Sequence, residues 1–505
     1  MPAVPPRLDR VGHAVDRRQV RVGERGHPRQ CHRRRVDRPA GKPLSSSGVA
    51  GAVSFWSATV RKRVMARDRW LYAWAVGSVA LGAASLLVPL YFVTIGGSTL
   101  LLGVLAGLAA AAGAPGALLF GRVADRTGKR RSLVLLALGL ATVAIVVVAL
   151  TDVEWVVIAG NGLLWFAAGA VAPVLTLLVT LGHLERDWPG RFAALNRYQG
   201  WGWAGGLVLG LVWTTALSGP LGAETAQRWL LWLCAAVAAT AALLVAAWLP
   251  SDAAAAEQPR PSRVARAVAR ARRVPVRSAT FPVGPARLYW LTRSMHPRAV
   301  AARFTPSLAL YFAAVVAIFV GSGVFWGPLP AYLSTVQGYD SGVVFALYFL
   351  SSLGSALCYG WAGNLAERYD SAGLQTAGLL VRAVLHPAVV VVGLVLPATV
   401  VSVVANGAVF VGIGVAWAVI AVTAASIVTG LAPPAIRGEA LGIYTAVSGL
   451  ASGVGSVAGG WLAGYGFLTA FVVAGAFVAV GAALTTVVWR RNGEAASATT
   501  AATGQ

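Results

Sequence analysis

The densest cluster of charged side chains lies at residues 121–131, G-R-V-A-D-R-T-G-K-R-R, in a chain of 505 residues that is 57% hydrophobic. The cluster holds five cations and one carboxylate, and it separates two segments that carry almost no charge. These residue types can form ion pairs and can bind the partial charges at helix ends. They do not form a catalytic constellation, because no clustered nucleophile or His, Asp and Glu set accompanies them. The chemistry that the cluster offers is therefore ionic contact, and its purpose depends on the elements that position it.

Those elements are apolar runs long enough to cross a membrane. The mean hydropathy is +0.69, only 12% of the residues are charged, and runs of about 20 apolar residues match a hydrocarbon core of ~30 Å. Barrel strands would be shorter and would alternate polar with apolar residues, so we predict an all-α membrane protein. A soluble globular protein is excluded. The twelve predicted spans are 70–93, 99–120, 132–150, 154–178, 198–217, 229–249, 308–333, 343–362, 374–396, 399–429, 442–464 and 467–489.

Positive charge is concentrated in two segments and in alternate loops. Residues 1–64 hold 15 Lys and Arg against 4 acidic residues, and residues 251–303 hold 11 Arg against 2. Because positive charge resists translocation, we expect both segments to face the cytoplasm and its anionic lipid surface rather than nucleic acid. The loops predicted to lie outside contain one cation, Arg228, and the remaining loops contain nine. The sequence thus predicts a multi-pass protein of the cell membrane with both termini cytoplasmic.

Two sequence stretches recur at nearly one offset. G-R-V-A-D-R at 121–126 is matched by G-N-L-A-E-R at 363–368, and R-F-A-A-L-N-R-Y at 191–198 is matched by R-G-E-A-L-G-I-Y at 437–444. The offsets of 242 and 246 residues predict two pseudo-symmetric halves of six helices each. The predicted organisation is a basic, disordered extension at 1–65, a six-helix half at 66–250, a basic cytoplasmic linker at 251–305, a second half at 306–490 and a disordered tail at 491–505.

The order of Gly121, Asp125, Arg126, Gly128, Lys129 and Arg130 resembles the G-x-x-x-D-R-x-G-R/K-R/K loop signature of the major facilitator superfamily of secondary transporters. The resemblance covers about residues 66–490. It implies that Asp125 faces the start of span 11, around residues 435–439, when the cytoplasmic side is closed. By symmetry, Glu367 would face the start of span 5, around residues 190–194. The predicted gating set is Gly121, Asp125, Arg126, Gly128, Lys129, Arg130, Gly363, Glu367, Arg368, Arg191 and Arg437, of which Arg191 and Arg437 are equally explained as positive-inside anchors.

In that superfamily, spans 1, 4, 7 and 10 border the central cavity. Asn161 and Asn406 are the most informative candidates, because an amide inside a span either lines a wet cavity or forms a hydrogen bond between helices. The aromatic candidates are also explained by packing or by a position at the membrane interface. The complete set of substrate-cavity candidates is Trp74, Ser78, Asn161, Trp165, Trp326, Tyr332, Asn406 and Trp417.

Two further patterns limit the function. No Asp or Glu lies deep in a span, and Arg382 with His386 in span 9 is the one ionisable pair that looks buried, although we expect Arg382 to extend toward the interface. Lone cysteines at 31, 234 and 358 indicate neither a disulfide framework nor a metal site.

The sequence therefore predicts a secondary transporter rather than an enzyme, without a cofactor or metal. We expect a monomer in contact with lipid, with a small, neutral or amphipathic solute and a possible coupling ion as its partners. The alternatives are an organic-anion permease of the same fold and a polytopic membrane sensor or lipid-modifying protein.

Overall fold

The computed structural model describes residues 69–180, 188–249, 305–396, 399–433 and 437–503. Over these residues the chain forms twelve helices that are long and apolar enough to cross a membrane, and it contains no β-strand, which confirms the predicted fold class. The helices are α1 Trp70–Thr94, α2 Thr99–Thr127, α3 Arg130–Ala149, α4 Glu154–Thr180, α5 Trp188–Leu221, α6 Ala223–Trp248, α7 Pro306–Trp326, α8 Ser341–Arg368, α9 Ser371–Val395, α10 Val400–Leu431, α11 Arg437–Ala463 and α12 Phe467–Thr503.

Short polar residues define several of the helix starts. The Ser98 side chain accepts a hydrogen bond from the Leu101 amide of α2, and Asp340 accepts one from the Val343 amide of α8, at 2.8 Å. Such caps satisfy amides that have no partner within the helix. Within each half, short connections join consecutive helices, which therefore run in opposite directions.

The seventh span is interrupted. After α7 the chain forms a three-residue helical turn at Leu329–Ala331 and then a π-helix at Tyr332–Val336. Pro328 and Pro330 lie at the interruption, where the missing amide hydrogens of proline prevent a regular ladder of hydrogen bonds. The span therefore ends near residue 336 rather than at the predicted residue 333.

The two halves repeat one pattern of helix packing. In the amino-terminal half α1 packs on α5 and α6, and α4 packs on α2 and α3; in the carboxyl-terminal half α7 packs on α11 and α12, and α10 packs on α8 and α9. Adding six to each helix number converts the first set into the second. The halves meet through α2 against α11 and through α5 against α8.

The ends of the predicted domains fall partly outside the described residues. Segments 1–65 and 251–304 lie outside them, so their predicted disorder and basic linker stay predictions. The final helix continues to Thr503, beyond residue 490 where the sequence analysis placed the end of the second half, and its apolar spanning part is Phe467–Arg491.

Candidate translocation site

The bundle has two distinct ends. We call the end that carries residues 121–131 the motif end, and the end that carries residues 95–98, 150–153 and 337–340 the opposite end. The buried core of the amino-terminal half is continuous with the opposite-end part of the carboxyl-terminal half, including Phe325, Phe345 and Phe410. The motif-end part of the carboxyl-terminal half, around Tyr311 and Tyr444, forms a separate core.

The halves are in close contact at the opposite end. Gln227 of α6 donates a hydrogen bond of 2.7 Å from Nε2 to Oγ of Ser341 in α8, and both side chains are buried. Between α2 and α11, a Cβ atom added to Gly107 would lie only 2.9 Å from the carbonyl oxygen of Gly453. Small residues allow this approach because no side chain holds the two backbones apart.

The described contacts between the halves weaken toward the motif end. A Cβ atom on Gly449 would lie 3.8 Å from the carbonyl oxygen of Ala110, which is ordinary contact distance. On α8, a Cβ atom on Gly360 or Gly363 would meet nothing within 4 Å, and Ala356 is exposed. The tight contact of α5 with Phe345 of α8 thus has no counterpart at these three described positions of α8, which lie nearer to Arg368.

The gating set lies at this looser end. Gly128 ends α2 in the left-handed region with φ of +69°, where a side chain would be strained, and its amide donates to the Ala124 carbonyl. Gly121 is buried in α2, whereas Arg126 and Lys129 are exposed and Arg130 is half-buried. The side chains of Asp125 and Arg437, and residues 434–436, lie outside the described part of the chain. Their predicted contact thus stays a prediction.

Among the described side chains, the carboxylate of the second motif copy forms no ion pair with α5 in this conformation. Glu367 and Arg368 are exposed at the end of α8, and the described residues contain no ion pair of Glu367. Arg191, in the first turn of α5, is half-buried and donates from Nε to the carbonyl oxygen of Val179 near the end of α4, at 3.4 Å.

Five of the eight cavity candidates are buried, three in the amino-terminal half and two in the carboxyl-terminal half. Ser78 bonds to the Trp74 carbonyl of its own helix and packs against Gly202, and Trp74 itself is 3% exposed. Asn161 donates from Nδ2 to the Leu105 carbonyl of α2, and Asn406 donates to the hydroxyl of Tyr339. Both amides thus make contacts between separate elements, as the clamp alternative requires.

Tyr332, a candidate for the central substrate cavity, packs against the start of α12. Its ring packs against Phe467 and Phe471 at the start of α12, and its hydroxyl accepts a hydrogen bond from Nε2 of Gln337 at 2.5 Å. The tyrosine lines a crevice of about 320 Å³ between the π-helix, α9 and the start of α12. That crevice lies within the carboxyl-terminal half, at the opposite end, and so corresponds to the packing alternative.

Three tryptophans are the candidates that stay partly accessible. Trp165 of α4, Trp326 of α7 and Trp417 of α10 are each half-buried. Trp165 lies beside Trp203 of α5 with ring centroids 6.2 Å apart, and Trp326 packs edge to face on Tyr348 of α8 at 5.2 Å. These tryptophans offer flat apolar surfaces with a single donor each, which suit the body of an amphipathic solute.

The expectation that Arg382 extends toward the membrane interface is wrong. Arg382 is 3% exposed and donates from Nε to Nε2 of His386, at 3.2 Å, and its guanidinium carbon lies 5.2 Å from the centroid of the Trp417 ring. The stacking of His386 on Phe325, with centroids 4.2 Å apart, holds the pair inside the carboxyl-terminal half. The sequence indicates the Arg382 and His386 pair but not its inward direction, because side-chain direction depends on the neighbouring helices.

No group of three or more His, Cys, Asp and Glu side chains suited to a metal ion occurs among the described residues. The hydrogen bond between Gln227 and Ser341 was not predicted from the sequence. The sequence shows two polar residues near the ends of spans in different halves, but no pattern indicates that they contact each other.

The architecture of two six-helix halves is that of the secondary transporters of the major facilitator superfamily. The chain belongs to the MFS_1 like family, whose sequence model matches residues 78–474. The superfamily membership predicted from the motif is thereby confirmed. The family and its structural relatives are transporters rather than enzymes, as the sequence predicted.

Solved structures show the same fold at low sequence identity. The nucleoside transporter NupG is 15% identical with a TM-score of 0.60, over 84% of this chain and 99% of that chain. A bacterial homologue of the human lysosomal transporter Spinster is 13% identical with a TM-score of 0.61, over 85% and 97%. An auto-inhibited peptide transporter of the POT family is 14% identical with a TM-score of 0.58, over 85% and 97%. No curated protein sequence matches the chain.

Proposed function

We propose that the protein is an alternating-access secondary transporter that moves a small amphipathic solute across the cell membrane. The observation that carries the proposal is the asymmetry between the two ends of the bundle. The halves share a core and a buried hydrogen bond at the opposite end, and their described contacts weaken toward the motif end. A bundle that closes at one end while its halves separate at the other has the geometry that alternating access requires.

The relatives support this proposal at the level of mechanism. The Spinster homologue is described as inward-facing and unoccupied, and it shares the fold of this chain. We infer that the motif end is the cytoplasmic end, so the conformation described here is the inward-facing one. The predicted excess of Lys and Arg in the loops of that end supports the same orientation.

The proposed solute class depends on the tryptophans. Trp165, Trp326 and Trp417 provide partly accessible aromatic surface on three helices that border the cavity in this superfamily. Cavities for small molecules are mostly apolar with a few polar groups, and the aromatic surface of these tryptophans supports an amphipathic solute.

Transport in proteoliposomes tests the proposal. The purified chain is reconstituted and screened for uptake of labelled nucleosides, small peptides, aromatic amines and aromatic carboxylates. Trp165→Ala should reduce the uptake of the transported solute at least tenfold, whereas Trp155→Ala, at a tryptophan that is 61% exposed on α4, should not. Equal effects of both substitutions, or no uptake of any class, would contradict the proposal.

The orientation is tested by labelling. In a variant without Cys31, Cys234 and Cys358, an impermeant thiol reagent added to intact cells should label a cysteine at position 223 and not one at position 262. Ala223 is exposed at the start of α6, at the opposite end. The reverse pattern would invert the proposed topology.

A second candidate, an organic-anion permease, is favoured by one observation. Arg382 is buried in the membrane bundle without a carboxylate partner among the described residues.

A further inference from the structure

We propose that Arg382, held by His386 and covered by Trp417, binds one anionic group, either the carboxylate of an organic solute or a small inorganic anion. The proposal deepens the function above by naming a chemical class for the solute or for a co-transported ion. It concerns a site within the carboxyl-terminal half that is formed by α7, α9 and α10.

The first step is the position of the charge. Arg382 lies near the midpoint of the 25-residue helix α9 and is 3% exposed. An arginine side chain stays protonated in proteins, so this position holds a full positive charge at membrane depth. Burying a charge has a large free-energy cost unless the charge is paired, and for this reason charged residues inside spans mark functional sites.

The second step is the lack of a counter-charge. The carboxylates described in the carboxyl-terminal half are Asp340, Glu367 and Asp370, and all three are exposed at helix ends. Asp370 is the nearest along α9, but it caps that helix by accepting hydrogen bonds from Ala372 and Gly373, and it precedes Arg382 by about 18 Å of helix. No described carboxylate therefore pairs with Arg382 in this conformation.

The third step is the set of free donors. The Nε atom of Arg382 donates to Nε2 of His386, whereas Nη1 of Arg382 and Nδ1 of His386 are buried without a hydrogen-bond partner. Since Nε2 accepts, the proton of a neutral imidazole is on Nδ1, which is then also a donor. Buried donors are nearly always satisfied in native proteins. The cluster thus supplies unused donors and no acceptor, which is the complement of an anion.

The fourth step is access. One face of the guanidinium is covered by the Trp417 ring, at 5.2 Å, and Trp417 is only half-buried although Arg382 and His386 are almost fully buried. The stacking of His386 on Phe325 fixes the imidazole, and through it the direction of the guanidinium. Trp417 is thus the partly accessible member of the cluster, and displacement of its ring is the route to the charge that the proposal requires, while the contact with Phe325 holds His386 in place.

Thermal unfolding of the purified full chain tests the site without requiring transport. The probes are sodium chloride against an osmotically matched neutral sugar, and benzoate against the neutral and similarly shaped benzamide, each added to protein in an otherwise anion-poor buffer. Ligands that bind the folded state raise Tm in a saturable way. We expect benzoate or chloride to raise Tm and benzamide to have no effect. A response to benzoate alone indicates a solute carboxylate, and a response to chloride alone indicates an inorganic anion.

The variants separate binding from a structural role. Arg382→Gln should abolish the response, and Arg382→Lys, which keeps the charge but loses the fork of donors, should weaken the apparent affinity about tenfold. The control Arg491→Gln removes an exposed cation and should respond like the wild type. Without anion, Arg382→Gln should be at least as stable as the wild type, because it removes an unpaired buried charge.

Three results would overturn the site: no response of the wild type to either anion, an unchanged response of Arg382→Gln, or a loss of stability of Arg382→Gln in the buffer without anion. If Arg382→Gln does not accumulate in cells, Arg382→Lys is the deciding variant. An apparent anion affinity of Arg382→Lys equal to that of the wild type would contradict the proposal. Anion binding without any transport would refute the proposed function and leave the site intact.

Discussion

The side chain of Gln227 and the hydroxyl of Ser341 join the two halves of the bundle by a hydrogen bond of 2.7 Å. Gln227 is 1% exposed and Ser341 is 8% exposed, so water does not compete for this bond in the conformation described here. The two residues belong to α6 and α8, which must separate if the opposite end opens. Under the proposed mechanism, the bond stabilises the state that is closed at the opposite end.

Ser341→Ala should shift the protein toward the state that is open at the opposite end. The substitution leaves the buried Gln227 amide without its partner, at a cost of about 1–3 kcal/mol, which corresponds to roughly a 5- to 160-fold change in the ratio of states. Spin labels at Leu221 and Val336, two exposed positions in different halves, should then report longer distances. Ser322→Ala is the control, because that buried hydroxyl bonds within its own helix. An unchanged distance distribution would exclude a gating role for the bond.

Glycine substitutions should separate the interface between halves from the packing within one half. Gly323 contacts α11 within its own half, and a Cβ atom there would lie 2.7 Å from the Ser456 amide nitrogen. Gly323→Ala should thus destabilise the fold by about 1–3 kcal/mol through overpacking. Gly460 contacts Gly103 of the other half, and Gly460→Ala should change the spin-label distances with a smaller loss in Tm. Gly139→Ala, with no neighbour within 4 Å, is the control and should leave both measurements near wild type.

Asp125→Asn should favour the conformation that is open at the motif end. If the carboxylate faces the start of α11 in the closed state, its loss removes about 0.3–2 kcal/mol and changes the ratio of states up to about thirty-fold. The variant should reach the membrane at normal levels, transport slowly, and show faster labelling of a cysteine at Ala356. Normal transport with unchanged labelling would reduce the motif to a topology signal.

Glu367→Gln should have the same effect more weakly. Glu367 is exposed and forms no ion pair among the described residues, so we expect the substitution to act mainly on the closed state. The second copy also lacks the Gly-Lys-Arg continuation of the first. An effect of Glu367→Gln larger than that of Asp125→Asn would contradict this ranking.

Tyr91→Phe should destabilise the amino-terminal half more than Glu224→Gln does. The buried Tyr91 hydroxyl donates to the Asp152 carboxylate at 2.7 Å and accepts from Arg228 at 2.9 Å, so its loss costs about 0.5–1.5 kcal/mol. Glu224 pairs with Arg228 at 2.9 Å on the exposed side, where such a pair contributes about 0–1 kcal/mol and is screened by salt. Thermal unfolding at low and high salt measures the loss of stability in both variants. A larger loss in Glu224→Gln than in Tyr91→Phe at high salt would contradict the prediction.

A chain that starts at Met65 should insert and transport like the full chain. Residues 1–64 are rich in Arg and lack a periodic apolar pattern, whereas α1 begins at Trp70. Membrane fractionation and the uptake assay measure the outcome, and loss of insertion would show that the extension is structural.

Much of the fold could be predicted because its signals are local. A run of about 20 apolar residues specifies a span wherever it occurs, since backbone groups inside a bilayer must be satisfied within the segment. The breaks in hydropathy and the repeated motif at 121–126 and 363–368 specify twelve helices in two equivalent halves without reference to any contact between them.

The sequence by itself thus determined the number of helices, their division into halves and the family. Only the tertiary structure decided which end of the bundle is closed, that Gln227 meets Ser341 across 114 residues of chain, and that Arg382 turns inward toward Trp417. Each of these depends on how helices distant in sequence approach one another. Hydrophobic length and charge balance are the same for an arginine that extends toward the interface and for one that is buried, so the side-chain directions follow from packing alone.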